Sequence, residues 1–163
     1  MFLYLDTSSL VKVYISEAGS DEVRALVQRA AIVTTSRIAY PEMRAALARR
    51  RRERALKPRD FTDAKQAFDA DWPRYVTVGV TSAICREAGD LAGRYRLRGF
   101  DSVHLASFAD VVRDLGSATR FSSFDDRLNR AARALQRTLA RHEAPHPQRQ
   151  KRPSRGTVRP PRA

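Results

Sequence analysis

Short apolar runs alternate along this chain with longer segments whose apolar residues recur at helical spacing. Phe2-Leu3-Tyr4-Leu5 is a continuous apolar run of strand length, the pattern of a buried strand. Ser20 is placed to cap a helix over Asp21–Arg29, with Asp21 and Glu22 in its first turn and Val23, Leu26 and Val27 on one face. Ile32-Val33-Thr34-Thr35 reads as a second, β-branched strand. Pro41 suits the first turn of the next helix, because its missing N–H has no partner there, and that helix runs from Glu42 to Arg54. Pro58 breaks it, and Asp60 can cap a further helix from Phe61 to Trp72. Tyr75-Val76-Thr77-Val78 is a third strand, followed by a helix over Thr81–Arg96 that ends at Gly99. A helix over 102–114 with Gly116 as its stop, a strand over 119–124 and a helix over 126–141 complete the pattern. The order β-α-β-α-α-β-α-α-β-α predicts an α/β fold, a three-layer α-β-α sandwich around a mainly parallel sheet.

The pattern stops after Arg141. Prolines at 145, 147, 153, 160 and 161 alternate with Arg, Gln, Ser and Gly, a composition with nothing to bury. The expectation is one folded domain over 1–141 and a basic, proline-rich disordered tail over 142–163. No stretch reaches the roughly 18 apolar residues of a membrane helix. The N-terminus has no basic segment leading into a long apolar run, so the expected location is cytoplasmic, without membrane association.

Four acids stand where strand-like runs meet helix starts: Asp6, Glu42, Asp101 and Asp125. In a parallel α/β sheet these junctions lie on one edge, where ligands bind. Carboxylates gathered there repel one another, and hard divalent cations such as Mg²⁺ or Mn²⁺ relieve that repulsion. Asp6 and Asp101 are the expected direct ligands, with Asp125 a third. Glu42 and Asp125 are placed to complete the shell, hold a second metal or position waters. Such ions activate water for phosphodiester hydrolysis, so the protein needs no nucleophile of its own. Aspartates before helices are also common N-caps, worth about 1 kcal/mol each. Asp126 stands beside Asp125 and leaves a one-residue ambiguity in the fourth acid. His104, three residues after Asp101, is flanked by Val103, Leu105 and Phe108 and reads as a packed, hydrogen-bonded histidine.

Charge adds a partner class. The net charge is +13, of which residues 141–163 carry +6, from seven Lys/Arg against Glu143. Arg49-Arg50-Arg51-Arg52-Glu53-Arg54 is a second basic cluster. Density of this kind favours a polyanion, because phosphate contacts release condensed counterions, although a solvated helix face has the same composition. The single cysteine, Cys85, excludes an internal disulfide and a Cys-based zinc site, and its place in an apolar pattern predicts a small buried packing residue.

The sequences around the acids carry a resemblance. They read Leu-Asp-Thr-Ser-Ser-Leu-Val-Lys-Val-Tyr (5–14) with Glu17-Ala18-Gly19-Ser20, then Tyr-Pro-Glu-Met-Arg-Ala-Ala-Leu-Ala-Arg (40–49). Leu-Arg-Gly-Phe-Asp-Ser-Val-His-Leu-Ala-Ser (97–107) and Arg-Phe-Ser-Ser-Phe-Asp-Asp-Arg-Leu (120–128) follow. In this order and at these separations they resemble the PIN domain, and within it the VapC-type toxins of toxin–antitoxin pairs. The resemblance covers about residues 1–140. It implies a metal-dependent ribonuclease acting on tRNA or rRNA, a small cognate antitoxin, a homodimer, and the same four acids as the site. Ser8 matches a position that orients the first carboxylate or a metal water. Ser123 matches a Ser/Thr position two before the last acid. Arg44, two residues after Glu42 on the same early helical turn, is a candidate phosphate contact, and Arg98 a second. The tail departs from the family pattern.

Other α/β classes lack their marks. Dehalogenase-type phosphatases need Asp-x-Asp, and position 8 is Ser. Receiver domains need an acid after the third strand, and Val78 is followed by Gly79. No phosphate-binding glycine loop is present. The competing readings are a catalytically silent nucleic-acid-binding relative and a housekeeping RNA-processing nuclease without an antitoxin.

Overall fold

The computed structural model describes residues 1–116 and 118–143, with the side chains of His142 and Glu143 excepted. Strand β1 (Phe2–Leu5) is followed by α1 (Thr7–Tyr14), α2 (Ser20–Arg29), β2 (Ile32–Ser36), α3 (Ala39–Arg52) and α4 (Pro58–Asp71). A 3₁₀ turn (Trp72–Arg74) leads into β3 (Val76–Val78), α5 (Ser82–Tyr95), α6 (Gly99–Leu115), β4 (Arg120–Ser122) and α7 (Asp126–Glu143). The expected tail lies outside the described residues beyond Glu143.

The sheet is parallel throughout, in the order β3-β2-β1-β4. β1 pairs with β2 through Leu3↔Val33 and with β4 through Tyr4↔Phe121. It therefore sits between two strands and between two helical layers, and Leu3, Tyr4 and Leu5 are all fully buried. Alternation across the strand separates two cores. Leu3 and Leu5 join Leu10, Val23, Met43, Leu47 and Phe68 from α1 to α4. Tyr4 joins Ile84, Leu91, Phe108, Val112 and Leu128 from α5, α6 and α7. This is the expected three-layer sandwich. Truncating any of these large side chains to Ala costs about 2–5 kcal/mol. The inner polar residues of β2 are satisfied locally: the Thr34 and Thr35 hydroxyls donate to the Leu3 and Leu5 carbonyls at 3.1 and 2.7 Å.

Several boundaries differ from the sequence expectation. Helix α1 was absent from it, since the helix has only eight residues, Thr7–Tyr14, before the Ile15–Gly19 connection. Gly19, at φ +85, takes the cap position of α2, and Ser20 is the first helical residue. Helix α3 begins at Ala39, so Glu42 lies in its first turn, and it ends at Arg52 rather than Arg54. Pro58 does not merely break a helix but opens α4, which moves Asp60 from the cap into the first turn. Helix α5 closes on Arg96 in the left-handed region (φ 54), and Gly99 starts α6 instead of ending α5. Cys85 is exposed, not buried. The buried stripe of α5 is Ile84, Ala88 and Leu91, and one residue of helical rotation, about 100°, turns Cys85 to solvent.

Candidate active site

The chain leaves β1 toward β2 on one side, while β4 returns on the other, so the β1/β4 boundary is a switch point with a crevice at the strands' carboxyl ends. Asp6 follows β1 there and Asp125 follows β4. A cleft of about 710 Å³ opens at this edge, and Asp6, Glu42, Asp101 and Asp125 all line it. A smaller groove of about 460 Å³ lies along β3, but its Arg113 is bound to Glu87 and none of the four acids reaches it.

Asp6 is the most constrained of the four, only 5% exposed. Its carboxylate caps α1 by accepting from the Ser9 N–H at 2.9 Å. The Ser8 hydroxyl straddles its two oxygens at 2.8 and 2.9 Å, and the Ser123 hydroxyl donates to Oδ2 at 2.7 Å. Burial nevertheless pushes its pKa above the ordinary value, against the opposing pull of His104 and these bonds. Asp101 lies in the first turn of α6, not before the helix. Burial raises its pKa first and the neighbouring Asp125 and Asp6 raise it further, while Arg98 and His104 oppose the shift. Asp125 caps α7, accepting from the Leu128 N–H at 2.8 Å. Asp6 and Asp125 thus cap helices and line the cleft at once. Asp126 is the first residue of α7, and Asp125 is the acid that lines the cleft.

Glu42 is held differently. Thr7 donates to its Oε2 at 2.6 Å, and His104 Nε2 stands 2.9 Å from the same oxygen. Burial pushes the Glu42 pKa up, but the hydrogen bonds from His104 and Thr7 outweigh it and hold the carboxyl below its ordinary range. His104 is buried and also meets the Tyr4 hydroxyl through Nδ1 at 3.0 Å. It is the packed, hydrogen-bonded residue expected, and it forms a wall of the cleft as well. A proton on Nε2 faces Glu42, since an ionised carboxylate only accepts.

Arg44 does not reach the site. Its guanidinium pairs with Asp69 at 2.8 Å and contacts the Tyr40 hydroxyl at 3.2 Å, because two positions of helical rotation carry it away from Glu42 toward α4. Arg98 does line the cleft, as do Arg49, Arg50 and Arg52. The basic cluster of α3 therefore forms a cationic rim beside an anionic floor. Lys12, Thr7, Phe100 and Phe124 also line it and were not anticipated. Lys12 lies one helical turn after Ser8, a relation visible only once 7–14 is read as a helix.

The donor set suits a hard divalent cation: the cleft's acidic floor offers carboxylate oxygens, and two of its acids are held at raised pKa by burial, which a cation would offset. Among the described residues no three or more His, Cys, Asp or Glu side chains form a group that could by itself hold a metal ion. Mg²⁺ does not require one, since it keeps several waters and is held by one or two carboxylates together with substrate phosphate. Asp6 and Asp101, with Asp125, are the residues that fit it.

The family model that matches residues 3–134 is the PIN domain, and the chain belongs to that family. Its curated relatives place it among the VapC-type members. Ribonuclease VapC45 of Mycobacterium tuberculosis (strain CDC 1551 / Oshkosh) and Ribonuclease VapC49 of strain ATCC 25618 / H37Rv are each 38% identical over 132 residues, covering 81% of this chain and 90% of each relative. Ribonuclease VapC46 of strain H37Rv is 31% identical over 133 residues, covering 82% of this chain and 92% of that protein. No helix among the described residues is long and apolar enough to cross a membrane.

Proposed function

We propose that the protein is a divalent-metal-dependent endoribonuclease and the toxin of a toxin–antitoxin pair. The observation that carries this reading is the convergence of Asp6, Glu42, Asp101 and Asp125 on one cleft rimmed by arginines, in a chain 38% identical to proteins named ribonucleases. Hydrolysis adds water across one P–O bond of RNA and leaves a 5′-phosphate and a 3′-hydroxyl. When bound, Mg²⁺ or Mn²⁺ neutralises phosphoryl charge and makes water nucleophilic at neutral pH. Asp6, Asp101 and Asp125 would hold that cation. Ser8, Ser123 and the Ser9 N–H fix the direction of the Asp6 oxygens, and positioning partners of this kind govern ligand geometry. Thr7 and His104 keep Glu42 ionised, as a proton acceptor or water-orienting group at the cleft wall. Arg98 and the α3 arginines draw in the phosphate backbone.

The same reading includes tRNA or rRNA as substrate, a small cognate antitoxin, a homodimer and a cytoplasmic location. The test is sequencing of 5′-phosphorylated RNA ends in cells expressing the intact protein or Asp6→Asn, with growth followed in parallel. New ends at a defined site, with growth arrest that a neighbouring small protein relieves, support it. Cleavage without growth arrest or an antitoxin gene points to a housekeeping nuclease. RNA binding with no cleavage in Mg²⁺ or Mn²⁺ points to a catalytically silent relative.

A further inference from the structure

The chain has seven Phe, five Tyr and one Trp, all within the described residues, and of these rings only Phe100 and Phe124 are exposed. They are 58% and 46% exposed. Each immediately precedes a cleft acid, Asp101 and Asp125, and both line the cleft. Isolated exposed apolar side chains are ordinary, but a random scatter does not put both exposed rings beside the same two carboxylates.

Phe124 is also held in place. The Lys12 ammonium lies over its ring, 4.1 Å from the centroid, and is itself fixed by Glu17 and the Ala18 carbonyl at 2.7 Å each. The ring packs on Gly19, where a Cβ would come within 2.5 Å of it. The Phe124 backbone N–H donates to the Ser8 hydroxyl at 2.8 Å, tying the ring's position to the residue that orients Asp6. A rigid aromatic with a cation behind one face and accessible surface elsewhere is a platform for a second flat, electron-rich group.

We propose that Phe100 and Phe124 are nucleobase-stacking platforms flanking the acidic centre, so that the site takes an unpaired RNA segment with its bases splayed around the scissile phosphate. This deepens the endoribonuclease reading and rests on it. Stacking accepts any base, since every base has a π-face, whereas paired A-form RNA keeps its bases stacked on one another and out of reach. RNA fits better than an apolar protein segment. The two rings form no continuous apolar patch, being set among Asp101, Asp125 and Arg98 in a cleft rimmed by α3 arginines. Alternating aromatic and cationic groups match a polyanion carrying flat bases.

The test uses the full chain without added divalent ions and a short single-stranded RNA carrying 2-aminopurine at successive positions. Wild type should bind it and quench the probe at two positions. Phe100→Ala and Phe124→Ala should each remove one quenching position and weaken binding by between about fivefold and about 150-fold, the range for losing one stacked base. Phe124→Tyr should restore both signals and Phe124→Leu neither, although all four variants melt as wild type does. The same sequence closed into a hairpin duplex should bind weakly and equally to all. Unchanged affinity and quenching in the alanine variants, full rescue by Phe124→Leu, an equal loss on duplex, or loss of a protein partner's binding without loss of RNA binding would each overturn the proposal. Adding Mg²⁺ separates the two claims: cleavage by wild type with no dependence on the rings sinks the platforms alone, and stacking without cleavage sinks the nuclease reading alone.

Discussion

Asp6→Asn should leave the metal-free fold at least as stable as wild type while abolishing its response to divalent ions. Asn caps helices about as well as Asp, so the bond from the Ser9 N–H survives. The Ser8 and Ser123 hydroxyls can rotate to accept from the new amide. Three bonds to an ionised acceptor become bonds to a neutral one, at about 1 kcal/mol each. Against this stands the cost of an ionised carboxylate that is 5% exposed. The balance is read from the carboxyl's own pKa, which is raised even with those bonds in place, so the charge is a net burden on the metal-free fold. A group with a raised folded pKa gives its stabilisation below its unfolded value, about 3.9 for Asp, and loses it as pH rises through the folded value. The difference in melting temperature between wild type and Asp6→Asn should therefore widen in favour of the variant as pH rises through that window. With Mg²⁺ at 100 times its Kd, wild type should gain about 2.7 kcal/mol. For a chain of this size that is a rise of roughly 5–11 °C, and the variant should show none of it. Asp6→Ala is the control, losing the cap at about 0.5–2 kcal/mol. Thermal melts across pH, with Mg²⁺, Mn²⁺ or chelator, read all of this. An Asn variant as unstable as the Ala variant, or one that keeps the Mg²⁺ shift, would refute the reasoning.

Asp101→Asn should likewise abolish cleavage, without unfolding, because its side chain lies in the first turn of α6 and relief of repulsion from Asp125 and Asp6 accompanies the change; a folded variant that cleaves normally at low Mg²⁺ would remove it from the site. Arg44→Ala should leave RNA affinity unchanged and cost about 0.2–1 kcal/mol, since its pair with Asp69 is about one-third exposed; salt-dependent binding curves and melts check both parts. Gly19→Ala should destabilise by about 1–2 kcal/mol through its left-handed backbone and also shift Phe124, so lower affinity for single-stranded RNA should accompany the lower melting temperature. A chain ending at Glu143 should melt as the full chain does. Its RNA binding should depend less steeply on salt, by about 0.7 in slope for each phosphate contact that the six Lys/Arg of 144–163 make.

The sandwich was legible because β1 is apolar at every position and the later strands sit between amphipathic helices, a pattern few other architectures share. The four acids were legible because strand-to-helix junctions share one edge of a parallel sheet. What the sequence hid was rotation about helices and the shortest helix. Arg44 and Glu42 are two residues apart, but two residues of an α-helix point nearly opposite ways, and Asp69 on α4 was the partner waiting there. Cys85 missed the buried stripe of α5 by one residue. Lys12 and Phe124 come together across more than a hundred residues, and no local pattern reports such a contact. Thr7 and His104 reached Glu42 the same way, through the pairing of three separate helices.

The proposed chemistry stands on Asp6, Asp101 and Asp125 holding a divalent cation in this cleft. Anomalous diffraction from crystals of the full chain grown with Mn²⁺ tests it most directly. A peak with oxygen atoms of Asp6 and Asp101 among its ligands is expected, lost when Asp101→Asn is crystallised under the same conditions. A peak bound elsewhere, or a cleft left without Mn²⁺ at concentrations that support cleavage, would contradict it.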